Sequence, residues 1–238
     1  MMTLWIILLV IVLLILLNLK TSRPDAKLVE RVHPYRQMMF YVMPTRTESV
    51  FMANLDIPAD NLESYLKKAG PKLQANVSHI AVAALIKTLA ETPNMNRFVT
   101  GGRLYQRDKI KISFSMKRKK LDAKAKVSVV HIEAQPGEDF EALCTRINAR
   151  VNKERSGDKT YADKEFDLFT KVPHGLMKIA PKFLRWLDAH NLLPTSFINN
   201  DALYCSAFVA NLGSLKMPSG HHHLFEWGNC PAFVTIGE

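Results

Sequence analysis

Cysteine is scarce in this chain of 238 residues, which contains only Cys144, Cys205 and Cys230. The three cysteines are far apart, and no two of them form a Cys-x-x-Cys pair. An odd number of separated cysteines argues against both a zinc site and a disulfide framework. We therefore expect free thiols and a reducing compartment.

The sequence also lacks a basic residue ahead of its long apolar run. No polar side chain stands between Leu4 and Leu17, and at 1.5 Å per residue such a helix comes close to spanning a hydrocarbon core of about 30 Å. A cleaved signal peptide is the competing interpretation, but it would need a basic segment before the run and small residues after it. We predict a single-pass transmembrane anchor at residues 1–20.

Positive charge follows the apolar run at Lys20, Arg23, Lys27 and Arg31, and the chain carries a net charge of +10. By the positive-inside rule, the main domain is expected on the cytoplasmic side of the cell membrane. The basic residues are spread along the chain without a zinc knuckle, basic zipper or RNP motif, so no nucleic-acid partner is predicted. Attraction to an anionic leaflet explains the charge.

The chain after the anchor has the composition of one globular domain, with 47% apolar and 23% charged residues. Residues 21–37 contain two prolines and no clear period, which indicates a linker, and the folded domain is expected at residues 38–238. Residues 50–57 alternate as in a strand. A helix is predicted after Pro58 and is expected to end at Gly70 and Pro71. Ser78 is expected to cap the apolar helix that follows.

Further elements follow from periodicity. Gly101 and Gly102 indicate a hairpin turn, and strands are predicted at residues 110–117 and 127–132. Apolar residues recur at helical spacing from Phe140 to residue 151. A basic, amphipathic pair of helices is predicted between residues 168 and 193, interrupted at Pro173 and Pro181. This pair either packs on the sheet or contacts a membrane surface.

Three segments, taken in their order along the chain, resemble one enzyme family. They are an apolar helix closed by Pro-Asn-Met-Asn (93–96), the strand Asp-Lys-Ile-Lys-Ile-Ser (108–113), and Phe-Val-Ala-Asn-Leu-Gly (208–213), followed by a last strand that ends at Ile236 and Gly237. Together they resemble the catalytic domain of the dihydrolipoamide acyltransferase subunits of 2-oxoacid dehydrogenase complexes. Chloramphenicol acetyltransferase is a more distant likeness.

The resemblance implies an α/β fold, namely a two-layer sandwich with a mixed β-sheet covered by helices. It also implies a homotrimer with active sites in channels between subunits, which coenzyme A and the acyl acceptor enter from opposite ends. In such enzymes a histidine deprotonates the acceptor thiol or hydroxyl, and a serine hydroxyl stabilises the oxyanion. Coenzyme A or acyl-CoA is accordingly the expected substrate, and no metal is expected.

The family pattern places particular residues in the site. Ala210 occupies the position of the family serine, so the hydroxyl donor is missing there, and Ser206 or Ser214 would have to replace it from nearby. Asn211 and Gly213 match the Asn-Leu-Gly part of the pattern and are the predicted substrate-binding residues. The family's Asp-Gly-Leu turn is replaced by a basic loop at residues 117–124, which is expected to be solvated or to contact lipid or coenzyme A phosphates.

In the family, the catalytic motif His-x-x-x-Asp-Gly lies beyond the point that corresponds to Glu238, so an acyltransferase activity requires that such a segment follow. An imitation of it begins at His222 and His223, but Trp227 stands in place of the aspartate and the segment precedes the last strand instead of following it. His222 and His223 remain the histidine candidates on this chain. Since adjacent residues cannot all face one ion, a metal site at His221 to His223 is not predicted.

Two hypotheses follow. The first is a membrane-anchored, CoA-dependent acyltransferase that moves an acyl group from a thioester to an unknown acceptor if a histidine segment follows Glu238. The second is a non-catalytic binding or scaffolding protein on the same fold, a pseudoenzyme, which the alanine at position 210 favours. The downstream reading frame and a titration with coenzyme A would separate them.

Overall fold

The computed structural model describes residues 1–117, 127–156 and 171–238 of the chain. In chain order, the described helices are α1 (Met2–Leu19), α2 (Pro34–Val42), α3 (Asp60–Leu73), α4 (Val77–Glu91), α5 (Phe140–Arg155), α6 (His174–Ala189) and α7 (Thr195–Asn200). The strands are β1 (Ala26–Leu28), β2 (Arg97–Thr100), β3 (Arg103–Arg107), β4 (Lys111–Lys117), β5 (Val127–Glu133), β6 (Ala207–Asn211) and β7 (Phe233–Ile236).

Helix α1 matches the predicted anchor in position and composition. Its 18 residues have a mean hydropathy of 3.0, and none of them is buried against the rest of the chain. An apolar helix of this length outside the core is long enough to cross a bilayer.

The main sheet is mixed and has the order β5-β4-β6-β7. Strand β4 pairs antiparallel with β5, whereas β4 with β6 and β6 with β7 are parallel pairs. Since β6 and β7 run in the same direction, their carboxyl ends at Asn211 and Ile236 lie side by side. This shared end of the two strands carries the family-pattern residues.

Helices α4 and α5 cover one face of the main sheet. Alternate residues of the strands point to these helices and form the principal core with them. Its buried members are Val82, Leu89, Ile112, Phe114, Val130, Ile132, Leu143, Ile147, Ala207 and Val209. The predicted two-layer α/β arrangement, with a mixed sheet under helices, is confirmed.

A smaller antiparallel sheet has the order β1-β3-β2. The predicted hairpin between β2 and β3 is confirmed, and Gly101 and Gly102 supply its two positive φ angles, +55° and +69°. A Cβ atom at Gly101 would lie 2.2 Å from the carbonyl oxygen of Ala189, so the hairpin tip sits directly on the end of α6.

A buried ionic cluster joins the start of the folded body to α6. Arg23, with 1% of its side chain exposed, hydrogen-bonds the carboxylates of Asp25 at 2.9 Å and Asp188 at 3.0 Å. The guanidinium of Arg107 lies 3.4 Å from Asp25 on the other side. Both arginines also stack over the ring of Phe98. Burial lowers the pKa of Arg23, but Asp188 and Asp25 outweigh it and the pKa is raised overall.

The structure differs from the sequence-based expectations at several places. The predicted linker at residues 21–37 contains β1 and the start of α2. Residues 51–59, expected to hold most of a strand, form no regular element. Helix α3 passes through Pro71 to Leu73, and α6 runs through Pro181 without interruption. The first residues of the predicted helix pair, and most of the basic loop at 117–124, lie outside the described residues.

Candidate functional site at the end of strand β6

Asn211, the last residue of β6, connects the strand to the start of α4. Its side-chain Nδ2 donates to the Ser78 hydroxyl at 2.9 Å, and its Oδ1 accepts from the backbone N–H of Ser214 at 3.0 Å. Both polar atoms of the amide are therefore used. The predicted substrate-binding residue is thus held in one orientation at the carboxyl end of β6.

A polar network continues from Ser78 along the start of α4. Asn76, not Ser78, is the capping residue, and its Oδ1 accepts from the backbone N–H of Ser78 at 3.0 Å. The ring of the buried His79 lies 3.0 Å from Asn76 Oδ1 and 3.3 Å from Asn148 Oδ1. Burial lowers the pKa of His79, so this imidazole is neutral near pH 7.

This network borders a cavity of about 180 Å³ between α4, α5 and β4. Amide and hydroxyl side chains supply much of the polar lining of this cavity, and one exposed arginine of α5 also borders it. These polar residues are Gln74, Asn76, Ser78, Asn148, Asn152 and Arg155, with apolar Phe114 and Met116 among the remainder. Such a lining can both donate and accept hydrogen bonds to a neutral polar chain.

Ala210 lies on the other face of the sheet, because successive strand residues point in opposite directions. It pairs in register with Thr235 of β7, two residues along the strands from the pair of Phe208 and Phe233, which lies on the same face. The hydroxyl of Thr235 donates to the Gly220 carbonyl at 2.7 Å. Thr235 therefore places a hydroxyl beside the position where the family pattern has serine. Sequence reasoning overlooked Thr235, and only the strand register reveals it.

His222 lies over this same face. Its ring stacks on Phe233 with a centroid separation of 4.2 Å and an interplanar angle of 7°, and its Nδ1 contacts the His223 carbonyl oxygen. His221 points elsewhere and contacts Asn54 Oδ1 at 2.9 Å. Both histidine candidates are exposed, and His222 is the one whose ring packs on the Ala210 face.

Ser206 and Gly213 have structural roles. Ser206 is completely buried, and its hydroxyl accepts from the backbone N–H of Lys111 at 2.9 Å. Gly213 faces the end of the last strand, where an added Cβ would lie 2.7 Å from the Gly237 carbonyl oxygen. Trp227 donates its indole N–H to the Asp201 carboxylate, which fixes the loop that carries the histidines.

All three cysteines are buried. Cys205 and Cys230 lie together in one apolar cluster with Phe208, and burial followed by the neighbouring Cys230 raises the pKa of Cys205 well above its usual value. Burial also raises the pKa of Cys144. Cys144 and Cys205 are therefore poor nucleophiles at neutral pH, whereas the hydrogen bond from Cys205 lowers the pKa of Cys230.

A second cleft, of about 410 Å³, lies away from β6. It is bordered by residues that follow β1, by the start of α2 and by the small sheet, and Arg31, Arg36 and Arg97 supply its charge. Three guanidinium groups at one cleft attract anions.

The arrangement at β6 supplies binding groups more clearly than it supplies a base. The rings of His79, His221 and His222 contact amide or carbonyl oxygens. A ring nitrogen that contacts a carbonyl oxygen is the N–H donor, so Nε2 of His222 keeps a lone pair that can accept a proton. A general base usually also has a partner that stabilises the resulting charge, and the contact of Nδ1 is with a neutral carbonyl group. What the described residues assemble is an orienting amide, Asn211, between a polar cavity on one face and an aromatic surface on the other.

The overall structure is similar to solved acyltransferase structures. A probable dihydrolipoamide acetyltransferase from Listeria monocytogenes 4b F2365 superposes with a TM-score of 0.50 at 13% sequence identity, over 87% of this chain and 73% of that one. A truncated catalytic core of the 2-oxoacid dehydrogenase multienzyme complex from Thermoplasma acidophilum gives 0.48 at 10% identity, over 88% and 79%. The cubic core of the pyruvate dehydrogenase multienzyme complex gives 0.48 at 13%, over 89% and 73%.

No protein-family model matches the sequence, and no curated protein sequence matches it either. The likeness is therefore one of three-dimensional structure. The chain has the fold of the catalytic core of dihydrolipoamide acetyltransferase, as the motifs in its sequence predict.

Proposed function

We propose that this protein is an acyltransferase-like protein that binds the thioester arm of acyl-CoA at the end of β6. Helix α1 attaches it to a membrane, and its folded body lies on the cytoplasmic side. The observation that carries this proposal is the bond from Asn211 to Ser78, which fixes the family's Asn-Leu-Gly segment beside a polar cavity. The acyl acceptor is a thiol or hydroxyl compound.

The chemistry of the cavity supports a pantetheine arm as its occupant. That arm is a flexible chain with two amide groups, each of which needs a donor and an acceptor. The side-chain amide of Asn152 can provide both, and Arg155 offers a cation for the phosphates. The amide of Asn148 is already bonded to His79 and to the carbonyl oxygens of Leu73 and Gln74, so it shapes the cavity wall. The apolar residues Phe114 and Met116 would contact the methylene groups.

In the reaction proposed, the acceptor thiol or hydroxyl gives its proton to solvent and its S or O atom attacks the thioester carbonyl. The C–S bond then breaks, and coenzyme A leaves as a thiolate that takes up a proton from solvent. Asn211 orients the turn that follows β6. The acyl end of the arm would have to extend past the end of β6 to the Ala210 face. Since Ala210 has no hydroxyl, stabilisation of the oxyanion there is weaker than in enzymes with a serine at this position, by about 3 kcal/mol. The rate of this chain is accordingly expected to be low.

The alternative function is a non-catalytic CoA-binding or scaffolding protein. One observation favours it: the alanine at position 210, which leaves the position of the family serine without a hydroxyl. Both functions predict that coenzyme A binds, and they differ only in turnover.

An assay with one added hydroxyl separates the two functions. Acetyl transfer from acetyl-CoA to dihydrolipoamide is measured with the purified full chain, with the Ala210→Ser variant, and with Ala134→Ser, which adds a hydroxyl at another half-buried position away from the β6 site. Catalysis predicts a slow rate that rises roughly 100-fold in Ala210→Ser alone. Binding of coenzyme A without turnover in any variant supports the scaffold, and failure to bind it contradicts both functions.

We also propose a homotrimer with the site between subunits. Phe51, Leu55 and Ile57 are 89%, 82% and 78% exposed, and residues 51–58 make no backbone hydrogen bond to other residues in the described part of the chain. Exposed, alternating apolar residues with free backbone groups are the usual signature of a strand that pairs with another chain. A neighbouring subunit would provide the partner for this segment.

A further inference from the structure

Helix α6 carries an apolar surface that the folded chain leaves open. Its buried side, which includes Leu184 and Leu187, packs on Leu193, Ile198 and Tyr204. A second apolar stripe on the same helix faces outward, with side chains that are 56%, 61%, 55% and 39% exposed. The members of this apolar stripe are Leu176, Ile179, Phe183 and Trp186.

The spacing of the apolar stripe is that of one helix face. Its members are separated by three, four and three positions, so they line up along the helix axis. Phe183 and Trp186 are stacked with an interplanar angle of 12° and a centroid separation of 6.1 Å. A row of four large exposed apolar side chains on a folded domain marks a contact surface.

A basic stripe runs directly beside the apolar one. Lys178, Lys182 and Arg185 are all exposed, and at 100° per residue they share a face next to the apolar stripe. Helix α6 therefore has a buried side, a basic side and an exposed apolar side between them. Apolar residues with aromatic rings, bordered by lysine and arginine, are the pattern of helices that lie in the interface of anionic membranes.

The position of α6 supports a membrane as its partner. Asn191, two residues after α6 ends, donates to the carbonyl oxygen of Lys20 at 2.8 Å, one residue after the apolar helix α1 ends. Arg23 holds the carboxylate and the carbonyl of Asp188 in the last turn of α6. A 16-residue helix is about 24 Å long, so the whole of α6 lies within that distance of the end of α1.

From these observations we propose that α6 lies in the interface of an anionic lipid bilayer, with the apolar stripe among the upper acyl chains and the basic stripe at the lipid phosphates. The proposal rests on the proposed attachment of α1 to a membrane. It adds a second, peripheral contact that fixes how the folded body is oriented on the bilayer.

The three tryptophans allow the two contacts to be tested separately in the full chain. Trp5 lies in α1, Trp186 in the apolar stripe of α6, and Trp227 beside Asp201 on the folded body. Three variants that each keep one tryptophan, with phenylalanine at the other two positions, are reconstituted into vesicles of phosphatidylcholine and phosphatidylglycerol. The quencher is lipid brominated on the acyl chains near the headgroup.

The proposal predicts that brominated lipid quenches Trp5 and Trp186 and leaves Trp227 unaffected. If Trp5 is quenched and Trp186 is not, the proposal for α6 is overturned while the anchor stands. If neither is quenched, the anchor fails and the proposal for α6 fails with it. A Trp186 that is equally shielded in detergent and in lipid would show that protein covers the stripe, which also overturns the proposal.

The charge of the lipid provides a second measurement. Replacing phosphatidylglycerol by phosphatidylcholine, or substituting Lys178→Glu, Lys182→Glu and Arg185→Glu together, is expected to reduce quenching of Trp186 at least about twofold. Quenching of Trp5 should stay constant in both cases. If quenching of Trp186 stays the same after the lipid replacement and after the three substitutions, a role for the basic stripe is contradicted.

Discussion

Arg23 and Asp188 are 165 residues apart in the sequence, and their side chains meet at 3.0 Å inside the protein. The pair joins the segment just after α1 to the last turn of α6. Burial raises the pKa of Asp188, and the adjacent guanidinium opposes that shift. A carboxylate in this position depends on its partner to stay charged.

Removing Arg23 is expected to be strongly destabilising. In an Arg23→Met variant, Asp25 and Asp188 lose their shared cation, and a buried pair broken in this way typically costs about 3–5 kcal/mol. Chemical unfolding of the full chain in detergent measures the change. Arg36→Met, at an exposed position, is the matched control and should leave the free energy of unfolding within about 0.5 kcal/mol. Equal unfolding midpoints for the two variants would contradict the prediction.

His131 is expected to make stability depend on pH. Burial, Lys111 and Arg150 lower its pKa to about 4 in the folded protein, whereas an unfolded histidine titrates near 6.5. As the pH falls from about 6.5 to 4, His131 binds a proton in the unfolded chain but stays neutral in the folded chain. The free energy of unfolding therefore decreases over this pH range.

The His131→Gln variant should lose this part of the pH dependence. Free energies of unfolding are measured for wild type and variant at several pH values. The wild-type value minus the variant value should decrease as the pH falls from about 6.5 to 4, because only the wild type loses the stability linked to His131. The pKa of His79 is also lowered, but that residue is present in both proteins and its effect cancels. Two curves that remain parallel from pH 7 to pH 4 would rule the prediction out.

Gly213 is expected to tolerate no side chain. A Cβ atom there would lie 2.7 Å from the Gly237 carbonyl oxygen, and backbone must move to admit it. Gly213→Ala should therefore lower the free energy of unfolding by about 1–3 kcal/mol. At Gly220 the nearest heavy atom is 3.9 Å away, so Gly220→Ala should be close to neutral. Thermal unfolding of both variants tests this difference, which a neutral Gly213→Ala would refute.

The exposed segment at residues 51–58 is expected to mediate oligomerisation. Leu55→Glu places a charge where a neighbouring subunit would contact the chain, and it should convert the proposed trimer to monomers. Met95→Glu is the control, because Met95 is also well exposed, at 58%, but lies elsewhere on the body. Light scattering with correction for bound detergent reports the mass. A wild-type monomer, or a trimer that Leu55→Glu does not weaken, would contradict the proposal.

Most of the main sheet and its covering helices could be predicted from local pattern. Strands β4 and β5 and helix α5 each carry a clear period over several residues, because one face is buried by the rest of the domain. Strand β1 is three residues long and too short to show a period. The sequence predicts an interruption at Pro181, yet α6 continues through this residue, because Leu184 and Leu187 pack on the cluster of Leu193, Ile198 and Tyr204.

The candidate site was less predictable for a physical reason. Asn211 and Gly213 were recognised from the segment they belong to, but the partner of Asn211, Ser78, lies 133 residues away and had been assigned as a helix cap. The place of the Thr235 hydroxyl beside the position of the family serine follows only from the register of Thr235 with Ala210. Contacts of this kind depend on which strands are neighbours, and no local period encodes that.

The bond from Asn191 to the carbonyl of Lys20 leaves almost no slack between α1 and the folded body. With α1 in a bilayer, the folded body cannot move independently of this helix, and the two diffuse and rotate as one unit. The binding groups of the body are then confined to a thin layer next to the bilayer surface. Acceptors confined to the same surface would meet the protein far more often than dissolved ones do.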